Sequence, residues 1–177
     1  MYLVLIGFKA CGKSTIGQMA ARQLGLPFVD VDGILEQLYE EKEKEKLPFR
    51  EIYKRHGKDY YRSLEAEALN VIMKMPPGVI AAGGGTFIHN PISDTFRQRS
   101  WIVYLYVEPE SLFVRMKQGG TPAFLDPADE KKSFYSFLGE RESQYRLISN
   151  SVVDNSDADM SLVVSQIVSQ FRAISQD

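Results

Sequence analysis

Cysteine is nearly missing from this chain. Cys11 is the only one in 177 residues, which excludes an internal disulfide framework and any cysteine-rich metal site and points to a reducing compartment, the cytoplasm. An excess of either charge is missing as well, since 21 Lys and Arg stand against 23 Asp and Glu for a net charge of −2. Without a broad basic footprint, neither nucleic acid nor an anionic membrane is an expected partner, although a local cluster of Lys and Arg can still hold phosphate groups. No apolar run reaches membrane-spanning length. The apolar stretch Tyr2 to Ile6 passes at once into Gly7 and Lys9 with no basic leader, so neither secretion nor membrane insertion is signalled. Repeats with a period of about 20 to 50 residues are absent too, which excludes solenoid arrays.

What is present is an ordinary globular composition, 44% hydrophobic and 25% charged, enough to bury one core and read as a single domain, 1–177. Short apolar runs bounded by Gly, Pro or Asp at Tyr2 to Ile6, Pro27 to Val31, Val79 to Ala82, Trp101 to Val107 and Ser151 to Asp154 predict five buried strands. Between them, apolar residues recur three and four apart, as in Ile16, Met19, Ala20, Leu24 and in Tyr60, Leu64, Ala68, Val71, Ile72, which predicts helices packed on a sheet. Strands alternating with helices need crossover connections. The expected class is therefore α/β, a parallel sheet between two helical layers. Glu40 to Lys46 reads EEKEKEK, a solvated helix face rather than a binding site. Pro76, Pro77 and Gly78 end a helix before the third strand, and Gly119 to Glu130, with paired glycines and two prolines, is a candidate lid.

Gly7-Phe8-Lys9-Ala10-Cys11-Gly12-Lys13-Ser14 fits G-x-x-x-x-G-K-[ST] between an apolar strand and a periodic helix, the context in which that motif wraps phosphate. Its glycines let backbone N–H groups point inward, and the following helix adds its positive end. Lys13 brings a mobile charge to the β and γ phosphates, while Ser14 offers a hydroxyl to Mg²⁺. A nucleoside triphosphate is the expected ligand. A small residue is needed at Cys11, and that suffices to explain it without a redox role.

Asp30 and Asp32, in Phe28-Val29-Asp30-Val31-Asp32, stand two apart at the end of the second strand and share one side if the extended chain continues that far. Phosphoryl transfer has work for both, one beside a metal and one on the attacking hydroxyl. The plainer alternative makes Asp32 a helix cap and Asp30 a strand end. Gly83-Gly84-Gly85 after the third strand invites close approach of a ligand to bare backbone, though a plain turn would also use it. Arg62 and Arg141, taken singly, read as surface ion-pair partners.

Taken together, the loop, F-x-D-x-D from Phe28, Tyr61-Arg62-Ser63-Leu64-Glu65, the triple glycine and Arg141 to Tyr145 (R-x-x-x-Y) resemble the shikimate kinases almost end to end. The resemblance implies a P-loop NTPase of nucleoside-monophosphate-kinase-like fold with a central five-stranded parallel sheet. It implies ATP-dependent phosphorylation of the 3-hydroxyl of shikimate, on the way to aromatic amino acids, by a monomer with Mg²⁺.

Carried over by position, Ala10, Cys11, Gly12, Lys13, Ser14 and Thr15 would line the nucleotide, with Arg115 by the adenine and the Asp154 to Asp159 loop flanking the base. Ser14 would ligate Mg²⁺ with Asp30 near it through water. Asp32 would hold the acceptor hydroxyls and act as base, Arg62 and Arg141 would bind the acceptor carboxylate through two guanidinium forks, and Gly84 would line the acceptor pocket. The acceptor-binding helices would span about 32–75 and the lid about 112–130.

The resemblance breaks in three places. Family lids carry an arginine where Thr121 stands in Thr121-Pro122-Ala123-Phe124-Leu125, and Lys117, Lys131 or Lys132 are the stand-ins the sequence offers. The stretch Leu38 to Arg50 is longer and more charged than usual, and Ala10 replaces a common loop glycine. Two other readings follow from the altered lid, a relative acting on another hydroxylated acid of gluconate type and a nucleotide-binding homologue with little transfer activity.

Overall fold

A computed structural model describes residues 1–118, 125–156 and 159–175. Five strands form one sheet in the order β2-β3-β1-β4-β5, and every neighbouring pair is parallel. They are β1 (Tyr2–Ile6), β2 (Phe28–Asp30), β3 (Val79–Ala81), β4 (Ser100–Tyr106) and β5 (Ser151–Asp154). Every residue of β1 and β3 is buried, as expected of central strands covered on both faces, whereas β2 and β5 lie at the edges and are partly exposed. The five strands expected from the apolar runs are all present, with ends displaced by a residue. The second stops at Asp30 because Asp30 caps a helix that begins with Val31.

The helices are α1 (Lys13–Leu24), α2 (Val31–Glu43), α3 (Phe49–Ile72), the short α4 (Thr86–His89) and α5 (Asp94–Gln98), then α6 (Pro109–Gln118), α7 (Glu130–Ile148) and α8 (Met160–Ser175). Ile16, Ala20 and Ala21 of α1 and Val164, Ile167 and Val168 of α8 supply one face of the core. Helix α3 is broken at Gly57, where φ is 79° and ψ −176°. Only a residue without Cβ takes that geometry cheaply. The charged run is solvated as expected, but it also straps α2 to α3: Lys42 pairs with Glu67, Glu45 with Arg55 at 2.5 Å, and Glu43 accepts from the Tyr60 hydroxyl at 3.0 Å.

The chain visits β2 and β3 on one side of β1 and then crosses to β4 and β5 on the other. Direction therefore reverses at the centre of the sheet, and the carboxyl ends of the strands there form the crevice in which α/β proteins bind ligands. The loops after β1 and β3, which carry Gly7 to Gly12 and Gly83 to Gly85, open into it. Residues 119–124 of the lid expected at 119–130, Thr121 included, lie outside the described residues. No helix among the described residues is long and apolar enough to cross a membrane.

Candidate active site

The loop after β1 is held by its own backbone demands. Gly7 has φ 143°, and a Cβ there would stand 2.8 Å from the carbonyl oxygen of Leu105 and 2.9 Å from Cys11 Sγ. Gly12, with φ 96°, caps α1, and its missing Cβ leaves room for the Asn155 amide, 2.9 Å from that point. Asn155 is buried and donates from Nδ2 to the Cys11 carbonyl at 2.9 Å, so the loop is propped from β5. Ala10 sits at φ 67°, in the left-handed region, which accounts for the glycine usual there in the resembling family. Cys11 is buried against Gly7, as the small-residue reading requires. The Lys13 ammonium donates to the carbonyls of Gly7 at 3.0 Å and Phe8 at 2.9 Å.

Ser14 and Thr15 are exposed in the first turn of α1. Ser14 Oγ donates to Asp30 Oδ2 at 2.7 Å, while Asp30 Oδ1 accepts the Asp32 N–H at 3.1 Å. This corrects the expectation of an extended Asp30-Val31-Asp32. The chain turns helical at Val31, so Asp30 is the cap and Asp32 lies in the first turn of α2. The two carboxylates stay close all the same. Burial first, and then the negative charge of Asp30, raise the Asp32 carboxyl from 3.8 to about 6. Lys13 opposes the shift, and Glu65 and Glu36 add to it.

Arg62 is not a surface ion-pair residue. Its Nη1 donates at 2.6 Å to Glu65, which is only 2% exposed. Glu65 also accepts from Thr86 Oγ1 at 2.8 Å and Asn90 Nδ2 at 2.9 Å. This closed network fixes the guanidinium and leaves Arg62 Nε as a buried donor without a partner among the described residues. Arg141 Nη1 donates to the Gly84 carbonyl at 3.3 Å, beside the Tyr145 hydroxyl that donates to the same oxygen, and its guanidinium lies 4.9 Å from the Phe137 ring centre.

The glycines join these groups. A Cβ on Gly83 would stand 2.8 Å from Thr86 Oγ1 and 3.2 Å from Asp32 Oδ1; one on Gly85, 3.1 Å from the His89 ring and 3.3 Å from Arg62 Nη2. Gly84 differs, because its Cβ would meet only ordinary contacts: Arg141 Nη1 at 3.5 Å and the Gly7 oxygen and Lys9 nitrogen at 3.6 Å. Its own fold would accept a methyl group there. The bare backbone is thus open to a ligand at the point where the phosphate loop and Arg141 converge. Asp32, Arg62 and Arg141 thereby share one cleft with the Lys13 loop.

Arg115 donates to the carbonyls of Asn155 and Ser156, both at 2.9 Å, which places it against the loop after β5. Of the lysines offered as stand-ins, Lys117 pairs with Glu130 at 2.5 Å and Lys131 with Glu110 at 2.9 Å. A hollow of about 300 Å³ between α3 and the α4–α5 segment, lined by Leu69, Phe87 and Ile92 together with Asn70, Asn90 and Ser93, has no cationic side chain in its walls to hold a phosphate.

Sequence reasoning missed Glu65, Thr86, Asn90, Asn155 and Tyr61 as parts of the site. The i,i+3 spacing of Arg62 and Glu65 was a usable signal; the others are joined by tertiary contacts alone. Tyr61 is buried near the Asp32 carboxylate, and burial first, then that negative charge, push its own ionisation far up. His89 is pulled down, by burial first and then by Arg62 and Arg141.

Residues 9–172 match the model of a family described as shikimate kinase. A shikimate kinase of Alkaliphilus oremlandii is 30% identical over 168 residues, covering 94% of this chain and 96% of that protein. Among solved structures, shikimate kinase from Acinetobacter baumannii in complex with shikimate superposes with a TM-score of 0.82 at 24% identity, over 99% of this chain and 95% of that one. That from Aquifex aeolicus gives 0.75 at 27% identity, over 99% and 98%. A gluconokinase from Sinorhizobium meliloti gives 0.59 at 16% identity, over 99% and 93%, a likeness of fold alone.

Proposed function

The chain belongs to the shikimate kinase family, and from that premise we propose that it transfers the γ-phosphoryl group of ATP to the 3-hydroxyl of shikimate. The observation that carries this reading is the convergence along Gly83 to Gly85, which the Asp32 carboxylate, the phosphate loop with Arg141, and Arg62 approach in turn. A triphosphate grip and a carboxylate-recognising pocket with a base between them are what transfer to a hydroxylated acid requires.

In the transfer, the 3-hydroxyl oxygen forms a bond to the γ-phosphorus as the bond to the β,γ-bridging oxygen breaks, and that electron pair leaves with ADP. The hydroxyl proton passes to Asp32. Its affinity for a proton, lifted to about 6, suits a base that is ionised at neutral pH yet can accept a proton. Arg62, held by Glu65, and Arg141, held at Gly84, pair with the acceptor's carboxylate, and Arg62 Nε has a donor to spare for it. Lys13 exchanges its loop carbonyls for the β and γ phosphates, in a loop lined by Ala10, Cys11, Gly12, Ser14 and Thr15. Arg115 and the loop after β5 flank the adenine.

The 2.7 Å contact between Ser14 and Asp30 fits Mg²⁺, which prefers an oxygen donor, waters and substrate phosphates to an all-protein cage. Among the described residues there is no cluster of three or more His, Cys, Asp or Glu side chains that would form such a cage. Ser14 would ligate the ion and Asp30 hold one of its waters; when bound, it neutralises charge on the phosphates. We read residues 1–177 as one domain working as a cytoplasmic monomer, with acceptor helices at about 32–75 and a lid at about 112–130. The buried, free thiol of Cys11 suits that compartment.

A coupled assay of ADP release tests the reading. Addition of shikimate is expected to raise the rate well above that with ATP alone, and above that with gluconate. A larger kcat/KM with gluconate would move the chain to another acceptor, and ATP binding without turnover on any acid would leave it a nucleotide-binding homologue.

A further inference from the structure

Four of the cations around the cleft are engaged. Lys13 is on the loop carbonyls, Arg62 on Glu65, Arg141 on the Gly84 carbonyl and Arg115 on the loop after β5. Lys9 differs: it is half-buried in the phosphate loop, and among the described residues its ammonium has no hydrogen bond or ion pair. Its nearest charged influence is another cation. Burial first, and then the positive charge of Arg50, lower its affinity for a proton. Among the described residues, Arg50 itself has a ring contact, 5.6 Å from the centre of Phe49, and no carboxylate partner. Two like charges held within each other's field, one of them partly desolvated and neither neutralised, make a local positive potential that an anion would relieve.

The location says which anion. Lys9 N lies 3.6 Å from the point where a Gly84 Cβ would stand, and Arg141 Nη1 lies 3.5 Å from the same point. Arg50 opens α3, and the neighbouring Phe49 N–H donates at 2.8 Å to Glu36, a turn beyond Asp32 on α2. Lys9 therefore belongs to the loop that grips the nucleotide but stands on the side facing the acceptor. Lys13, from the other end of the loop, covers the β and γ phosphates. The group that passes between these two sides is the phosphoryl group, whose charge spreads over three equatorial oxygens during transfer.

We propose that Lys9, flanked by Arg50, is a catalytic residue that binds the phosphoryl group on its acceptor side, first during transfer and then as the phosphate ester of the product. The proposal rests on the reading of the chain as a shikimate kinase for the identity of that ester. Lys9 supplies a point charge there, and Arg50 strengthens the field at longer range.

Titration calorimetry on the full chain tests it, with ADP, shikimate, shikimate 3-phosphate and inorganic phosphate added to the ADP complex, alongside kcat. In Lys9→Met, shikimate 3-phosphate affinity, phosphate affinity and kcat are each expected to fall about tenfold or more, while ADP and shikimate affinities stay within about threefold. Lys9→Arg should restore most of the loss, Arg50→Met should show a smaller one, and the exposed Lys74→Met should show none. Wild-type affinity for phosphate and for the ester in Lys9→Met, with kcat within about threefold, would overturn the proposal. If Lys9→Met also loses ADP, the loop has been damaged. Arg50→Met, which leaves the loop untouched, then decides by the same titrations: weaker phosphate binding upholds the proposal and wild-type binding overturns it. Should the wild type bind neither shikimate nor its ester, the activity reading fails separately, and the inorganic phosphate titration still decides the role of Lys9.

Discussion

Asp32→Asn is expected to make the protein more stable while ending phosphoryl transfer. Burial and the neighbouring Asp30 lift the Asp32 carboxyl from 3.8 to about 6. The folded protein therefore binds this proton more tightly than the unfolded chain does, and ionising the group costs folding free energy. The sign follows: the penalty is complete above about pH 6, shrinks as the pH falls through 6, and is gone below 3.8. Between those limits it amounts to about 3 kcal/mol. Asparagine has nearly the same shape and never ionises, so it recovers most of that amount at pH 8. At about 2–4 °C per kcal/mol for a chain of this size, Tm rises by up to about 6–12 °C. Thermal melts of both proteins from pH 4 to pH 8, with ADP release measured on the same samples, check this. The gain should be largest at pH 8 and vanish at pH 4. Equal stability at pH 8, or an advantage that persists undiminished to pH 4, would refute the view that this carboxylate is held ionised against its surroundings for the sake of the chemistry.

Two further outcomes follow from the same contacts. Ala10→Gly relieves a left-handed alanine and is expected to stabilise the protein by about 0.5–1 kcal/mol, less if glycine's freedom in the unfolded chain offsets it, as read from the urea midpoint. Glu65→Ala strips Arg62, Thr86 and Asn90 of their common acceptor. It should cost about 3 kcal/mol of stability and raise the KM for the acceptor while leaving ADP affinity unchanged.

The nucleotide half of the cleft was legible in the chain because its chemistry is local. Gly7, Gly12, Lys13 and Ser14 lie within eight residues of one another, and the strand and helix that frame them have periodicities visible in the apolar pattern. The acceptor half was legible only as a set of separate motifs. Arg62, taken alone, has the look of a surface residue, and what makes it part of a site is Glu65, buried beneath it and satisfied by Thr86 and Asn90 from beyond the next strand. The turn at Val31 was the one local misreading, because period-two spacing was extended past a residue that caps a helix. The stand-in lysines on α6 and α7 were plausible by proximity in sequence, yet Glu130 and Glu110 hold two of them.

The order of residues by itself determined the five strands, their alternation with helices and the triphosphate loop, since each rests on contacts or periodicities within one short segment. Tertiary structure alone decided which arginines face the cleft, how strongly Asp32 holds its proton and why Lys9 has no counter-charge among the described residues. Burial and electrostatic fields are summed over segments far apart in the chain, and no local pattern contains that sum.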